Sequence, residues 1–370
     1  MHAKDGKRIL RYPRSLTCER PKATIICDLT SFQELGPTAP LQTLLSAITI
    51  GSQLSKPYNT RSVSDRLRSR MAKKSTTRSV PPRTLTGFID EFEQYSSSSK
   101  YKYWLNCYRG LRNSSWQNLA GIFRPELKEL LEDEKRVVRK MISVQPHEFA
   151  SDETMFDKLV RMQHYGLPTR LLDVSRNALV ALFFATDPGP TGSKPSDGMV
   201  TAFAIPQELE KYYDSDSVSC IANLANMTSE EKAKIYRLTE SLIEQPEGEQ
   251  IASFNENDDI KRLLQFIRAE KPYFQPMMKP VDLFVPYHVH PKMSNRRILA
   301  QSGAFILYGM NPFPSKKIVI PGKIEETRWV VPQKAKKTIR NALANLGINE
   351  STLYPEIDKA AARIKDSYSR

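Results

Sequence analysis

Five side chains of different chemistry fall within eleven positions of this 370-residue chain: Gln163, His164, Tyr165, Arg170 and Asp173. Together they offer an amide, an imidazole, a phenol, a guanidinium and a carboxylate. The run that follows, Ala178 to Ala185, is uniformly apolar and long enough to bury as two turns of helix. Polar groups held at the entrance of a buried helix either form hydrogen-bonded structure or line a site. His164 could act as a general acid or base, because histidine titrates near working pH. A histidine satisfied by backbone in a tight turn fits equally well. Arg170, between Thr169 and Leu171, reads as structural, with a carbonyl or Asp173 as its partner.

A second chemical feature lies upstream. In YKYWLNCYRG the alternation of Tyr101, Tyr103, Leu105 and Cys107 with polar or aromatic neighbours predicts a strand that stops at Gly110. Arg109 then sits at a strand end, where ligand-facing groups commonly lie. Its guanidinium fork matches phosphate oxygens. A buried ion pair with Asp173 is the competing expectation. His288 and His290 would point the same way along a strand, but two ligands do not make a metal site, and no metal is expected.

The elements that must position these groups follow from periodicity and caps. Thr86 is expected to cap a helix carrying Phe88, Ile89, Phe92 and Tyr95. Pro125 opens a long helix whose stripe of Leu127, Leu130, Leu131, Val137, Val138 and Met141 is interrupted only by Glu134. Asp152 is expected to cap the helix that delivers Met162 and Gln163, Gly166 and Pro168 turn the chain, and Asp173 or Ser175 caps the apolar helix. Further strands are predicted over 199–205, 281–289, 303–308 and 317–320, with helices over 229–244, 258–270, 333–346 and 356–365. Residues 245–256 read as acidic and turn-prone. The pattern is that of an α+β domain with a small mixed or partly antiparallel sheet surrounded by helices.

Composition bounds the class. Hydrophobic residues make up 40% of the chain, and no apolar run approaches the roughly 20 residues of a membrane helix. The start lacks the apolar core of a secretory signal, so a cytoplasmic location is expected. Four scattered cysteines, Cys18, Cys27, Cys107 and Cys220, form no zinc or disulfide pattern. The net charge of +14 is uneven: residues 1–80 hold 15 Lys and Arg against 5 Asp and Glu, the rest 40 against 36. The basicity belongs to a disorder-like N-terminal arm, and nucleic-acid binding is not inferred from it.

Taken together, these residues resemble the FRG-domain family. The naming element is Tyr108-Arg109-Gly110, followed by Trp116 and Leu119. A long second motif runs from Gln163 to Ala185, and a third contains Arg297, Gln301, Gly303 and Phe305. Softer similarity continues through IVIPGKIEETRWVV and LANLGINESTLYPEIDKAA, so that the resemblance covers about residues 84–370 as one FRG-like domain. Ser175 stands where the family usually has Thr, and Ala178 where it has Pro. The resemblance implies a bacterial effector of defence or toxin type.

The motif order is also similar to that of ADP-ribosyltransferases, which implies NAD as the bound nucleotide and a protein or RNA as target. On that likeness Arg109 holds the diphosphate, with Tyr108, Gln163, Thr169, Arg170 and Ser175 around the cofactor. Asp173, His164, Arg297 and Gln301 are the catalytic candidates, Asp173 and Ser175 facing the nicotinamide ribose. The likeness breaks at Ser294-Asn295-Arg296-Arg297, where a catalytic Glu is expected. Either Asp173 supplies the carboxylate, or the pocket binds a nucleotide-like anion without chemistry, as a sensor or an interaction module would.

Met71 opens MAKKSTTRSV, which resembles an ordinary protein start. The native chain is expected to begin there, and intact mass spectrometry of natively expressed protein is expected to find no residues 1–70; a mass that includes them refutes this.

Overall fold

A computed structural model describes residues 81–98, 103–190, 192–311, 314–320, 322–356 and 361. The basic arm, the expected start at Met71 and nearly all of the helix expected over 356–365 lie outside these residues.

Helix α1 (Leu85–Ser96) buries Phe88, Phe92 and Tyr95, and its cap is Thr84, whose hydroxyl accepts from the Gly87 amide at 3.2 Å. Thr86 therefore lies inside the helix, the capping contact being made two residues earlier. Strand β1 (Leu105–Leu111) runs through Gly110 instead of stopping there. The long helix expected from Pro125 is broken into a 3-10 turn, Pro125–Leu127, then α2 (Lys128–Glu132) and α3 (Glu134–Val144). The break falls at Asp133, and beyond it the carboxylate of Glu134 turns inward rather than interrupting an apolar stripe.

Helix α4 (Met155–His164) begins with a capping box between Thr154 and Asp157. Asp152 is used otherwise, accepting two hydrogen bonds from Arg161 at 2.7 and 2.8 Å. The motif's centre then forms a strand, β2 (Leu171–Ser175), and Asn177 caps α5 (Ala178–Ala185) in place of Asp173 or Ser175. A strand at this point escapes a periodicity reading because five residues flanked by turns offer too short a window.

Strands β3 (Gly198–Ile205) and β4 (Glu210–Tyr212) precede a helical block of α6 (Asp216–Ala222), α7 (Ser229–Leu242), α8 (Glu247–Glu256) and α9 (Asp258–Glu270). Helix α8 occupies the segment expected to be turn-prone; it buries Phe254 and Asn255. The strand expected over 281–289 shrinks to β5 (Tyr287–His290), since Pro280–Phe284 is a 3-10 turn that buries Leu283 and Phe284. Helix α10 (Arg296–Ala300), β6 (Gly303–Leu307), β7 (Glu325–Val331), α11 (Gln333–Asn345) and α12 (Glu350–Leu353) complete the order. Residues 317–320 are not a strand; the pairing strand lies downstream in β7.

The seven strands form one mixed sheet in the order β4-β5-β6-β2-β1-β3-β7, with β4 parallel to β5 and every other pair antiparallel. The fold is thus α+β. Pairing is full along β1–β3 and β2–β6, but between β1 and β2 the register is a single pair, Tyr108 opposite Ser175. The sheet is two laminae joined at one point.

Helix α5 lies against β1 and β3. The backbone there approaches so closely that a Cβ on Gly110 would fall 1.8 Å from the Ala181 carbonyl oxygen, and one on Gly198 would fall 2.1 Å from that of Ala185. Val180, Leu182 and Phe183 of α5 pack with Tyr108, Val200, Ala202, Trp329 and Val331, while Cys107, Phe203 and Ile205 contribute to a separate core cluster. Gly110→Ala is expected to lower stability by about 1–3 kcal/mol through overpacking. Urea denaturation checks this, and an unchanged midpoint would show that the helix is not seated by this glycine.

Candidate functional site

The divergence of β1 from β2 leaves a cavity of about 260 Å³ over the centre of the sheet. Its floor is Tyr108, Arg109 and Gly110 of β1, Asp173 to Ser175 of β2 and Gly303 to Phe305 of β6. Gln163 and His164 at the end of α4, Ala181 and Phe184 of α5, and Arg297, Ile298 and Gln301 at α10 form the walls.

Asp173 is the exposed residue of an otherwise buried strand, its side chain 57% accessible. Two neighbours fix it. Gln163 donates its amide to Asp173 Oδ2 at 3.0 Å. The orientation of that amide is set in turn by Thr169, whose hydroxyl and backbone N–H both donate to Gln163 Oε1, at 2.9 and 3.3 Å. Arg109 reaches across the gap between the laminae: its Nη1 donates to the Asp173 backbone carbonyl at 2.5 Å and lies 3.8 Å from Oδ2. Where the strand ladder fails, a guanidinium substitutes for it. Arg109 Nε is buried and has no hydrogen-bond partner. Arg109 thus contacts Asp173 and lines the cavity, but the pair is not the buried one expected, since the Asp173 carboxylate is exposed.

His164 is depressed from its ordinary pKa by burial first and then by the Arg297 charge, against the raising effect of Glu356. It is therefore a neutral imidazole at pH 7, able to accept a proton. Its Nε2 lies 3.9 Å from Glu356 Oε1. The Arg297 guanidinium sits 4.8 Å over the ring of Tyr354. Gln301 lines the cavity while donating its amide to the Leu353 carbonyl at 3.0 Å. The hydroxyl of Ser175 is engaged by the fold: it donates to the Gln301 carbonyl at 2.7 Å and accepts from the Asn177 amide at 3.0 Å.

Two expected site residues are not in this cavity. Thr169 is buried behind Gln163 and acts by orienting it. Arg170 has no exposed surface at all. Its Nε and Nη2 donate to the two oxygens of Glu134 at 2.6 and 2.5 Å, and its Nη1 donates to the Gly309 carbonyl at 2.5 Å. Lys232 adds a third charge, 2.7 Å from Glu134 Oε2. A carbonyl partner was expected for Arg170, but the carboxylate is Glu134 rather than Asp173. Burial raises the Glu134 pKa, and the charges and hydrogen bonds of Arg170 and Lys232 outweigh it, so the carboxyl stays below its usual range.

His288 is fully buried and His290 binds Glu210 at 2.6 Å, so the i, i+2 pair does not form an open ligand set. Burial holds His288 down at about 3. Among the described residues, no group of three or more His, Cys, Asp or Glu could hold a metal ion. No helix among them is long and apolar enough to cross a membrane.

Some residues at the site were not legible as such. Phe184 belongs to a run that reads as uniform core, yet it lines the cavity. Tyr354 and Glu356, which contact the wall residues Phe184, Arg297 and His164, fall in the softer C-terminal block and were not singled out there.

Residues 104–192 match the family model for the FRG domain, so the chain carries an FRG domain there. The match takes in β1, β2 and α5, which hold Arg109, Asp173 and the seating glycine Gly110. No curated protein and no solved structure matches the chain.

Glu134→Ala would leave Arg170 and Lys232 as buried cations without a counter-charge. A loss of about 3–5 kcal/mol in unfolding free energy is expected, and a urea midpoint within error of wild type would refute a structural role for the triad.

Proposed function

We propose that the cavity binds a nucleotide of the NAD type, with Arg109 and Arg297 holding its diphosphate and Asp173 facing a ribose. The observation that carries this reading is the convergence of two guanidiniums and one clamped but exposed carboxylate on a single cavity, beside an uncharged histidine. Guanidinium forks match phosphate oxygens in particular. At about 260 Å³ the cavity is below the usual size for a whole cofactor. A dinucleotide would continue into the adjoining chamber of about 380 Å³, which shares Val160, His164 and Ile298 with it.

If the ligand is turned over, the bond between nicotinamide nitrogen and ribose C1′ breaks. Nicotinamide leaves neutral with the electron pair, an acceptor hydroxyl or water joins C1′, and the acceptor's proton goes to a base such as His164. A carboxylate beside the ribose steadies the oxocarbenium-like centre, and Asp173 is placed for that role. The second reading is binding without turnover, and a specific observation favours it: Asn295-Arg296-Arg297 brings a cation where a catalytic Glu was expected. Either activity, consuming or sensing a nucleotide, suits a bacterial defence or toxin-type effector.

The test is incubation with labelled NAD, measuring binding and nicotinamide release for wild type, Arg297→Ala and Asp173→Asn. Wild type is expected to bind. Arg297→Ala should weaken binding about tenfold or more, the loss of one charge-assisted contact, and Asp173→Asn should bind but release no nicotinamide. Binding without release by wild type selects the sensor reading, and absence of both sinks the proposal.

A further inference from the structure

Tyr165 caps the C-terminal end of α4 beside His164, and the nucleotide contacts proposed above leave it unused. The residue is 58% accessible, so packing does not account for the ring. It is nevertheless held in place. Its hydroxyl donates to Glu148 Oε2 at 3.3 Å, and the His164 ring meets it edge-on, with centroids 5.0 Å apart. An aromatic ring braced in this way and left largely open to water offers a stacking surface.

Tyr165 lines the adjoining chamber of about 380 Å³, and His164, the residue before it, lines both that chamber and the first cavity. The ring therefore stands one residue from the boundary that His164 forms with Val160 and Ile298. The charges of the chamber are already paired. Arg161 donates to both oxygens of Asp152 at 2.7 and 2.8 Å, and Lys292 donates to Asp157 at 3.2 Å and to Glu153 at 2.6 Å. With both cations facing carboxylates, the chamber offers a phosphate no free counter-charge and suits a neutral group.

We propose that this chamber is a nucleobase subsite and that Tyr165 is its stacking residue. A base is planar, neutral and apolar on its faces, and an aromatic side chain stacks on it whatever hydrogen-bond pattern its edge carries. With the diphosphate on Arg109 and Arg297 and the nicotinamide ribose at Asp173, the part of an NAD-type molecule still to be placed is the adenosine. The second chamber receives it past His164. The inference rests on the nucleotide reading above and deepens it, by assigning the two ends of the ligand to two chambers.

Calorimetric titration of the full chain with NAD and with nicotinamide mononucleotide, which lacks the adenosine, tests it for wild type, Tyr165→Ala and Tyr165→Phe. A thermal melt confirms that the variants are folded. Tyr165→Ala is expected to lose about tenfold in NAD affinity, the value of one base–aromatic stack, and to bind the mononucleotide as wild type does. Tyr165→Phe keeps the ring and should retain both affinities. Undiminished NAD affinity in Tyr165→Ala overturns the inference. So does an equal loss for both probes, which would mean that the ring only braces His164, and so does a Phe variant as weak as the Ala variant, which would give the role to the hydroxyl. Wild type that binds the mononucleotide as tightly as NAD overturns it while leaving a nucleotide site in place. Wild type that binds neither removes the nucleotide reading itself, and this inference with it.

Discussion

The buried contact of Arg170 with Glu134, Lys232 and the Gly309 carbonyl joins four parts of the chain at one point. Arg170 stands at the entrance to β2, Glu134 opens α3, Lys232 lies on α7, and Gly309 follows β6. Taking a guanidinium out of water is tolerable only when its donors are met. Here three of its nitrogens are, and the second cation leans on the same carboxylate. The position of β2 relative to the helices is fixed by that requirement, and with it the position of Asp173, three residues along. The arginine in the strongest motif therefore works on the site from behind, by holding the strand that presents the carboxylate.

A second constraint shapes the cavity. A continuous ladder between β1 and β2 would leave no space over the sheet, but these strands touch at one register pair. Helix α5 is pressed onto β1 and β3 through two glycines, which keeps the lamina of β1, β3 and β7 in place while β2 follows β6. The orphaned edge groups are partly met by Arg109, which spans the gap to the Asp173 carbonyl. One side chain thus stabilises the opening and lines it.

The glycine of the Tyr-Arg-Gly element has a corresponding double character. Read along the chain it looks like a strand terminator. In three dimensions it is the point of closest approach of helix and sheet, and its lack of a side chain matters because the Ala181 carbonyl occupies the place of a Cβ. Close packing of backbones is invisible in a one-dimensional pattern, since any turn also calls for glycine.

By itself the sequence determined the class of fold, most of the amphipathic helices, and the grouping of polar residues around Gln163 to Ser175. Spacing and capping are local, and local chemistry can be read locally: α9 is found at Asp258–Glu270 as its periodicity demands. Tyr108, Arg109, Gln163, His164, Asp173, Ser175, Arg297 and Gln301 were all nameable from their motifs, and all line one cavity. The tertiary structure decided which of the motif's charged residues face that cavity and which are buried. Arg170 and Thr169 are hidden because their partners, Glu134 of α3 and Gln163 of α4, are supplied by two neighbouring helices. It also decided where β2 and β7 run, since strand pairing depends on partners distant in sequence. Above all it brought Glu356 to His164 across almost two hundred residues, a contact that no pattern of neighbours along the chain encodes.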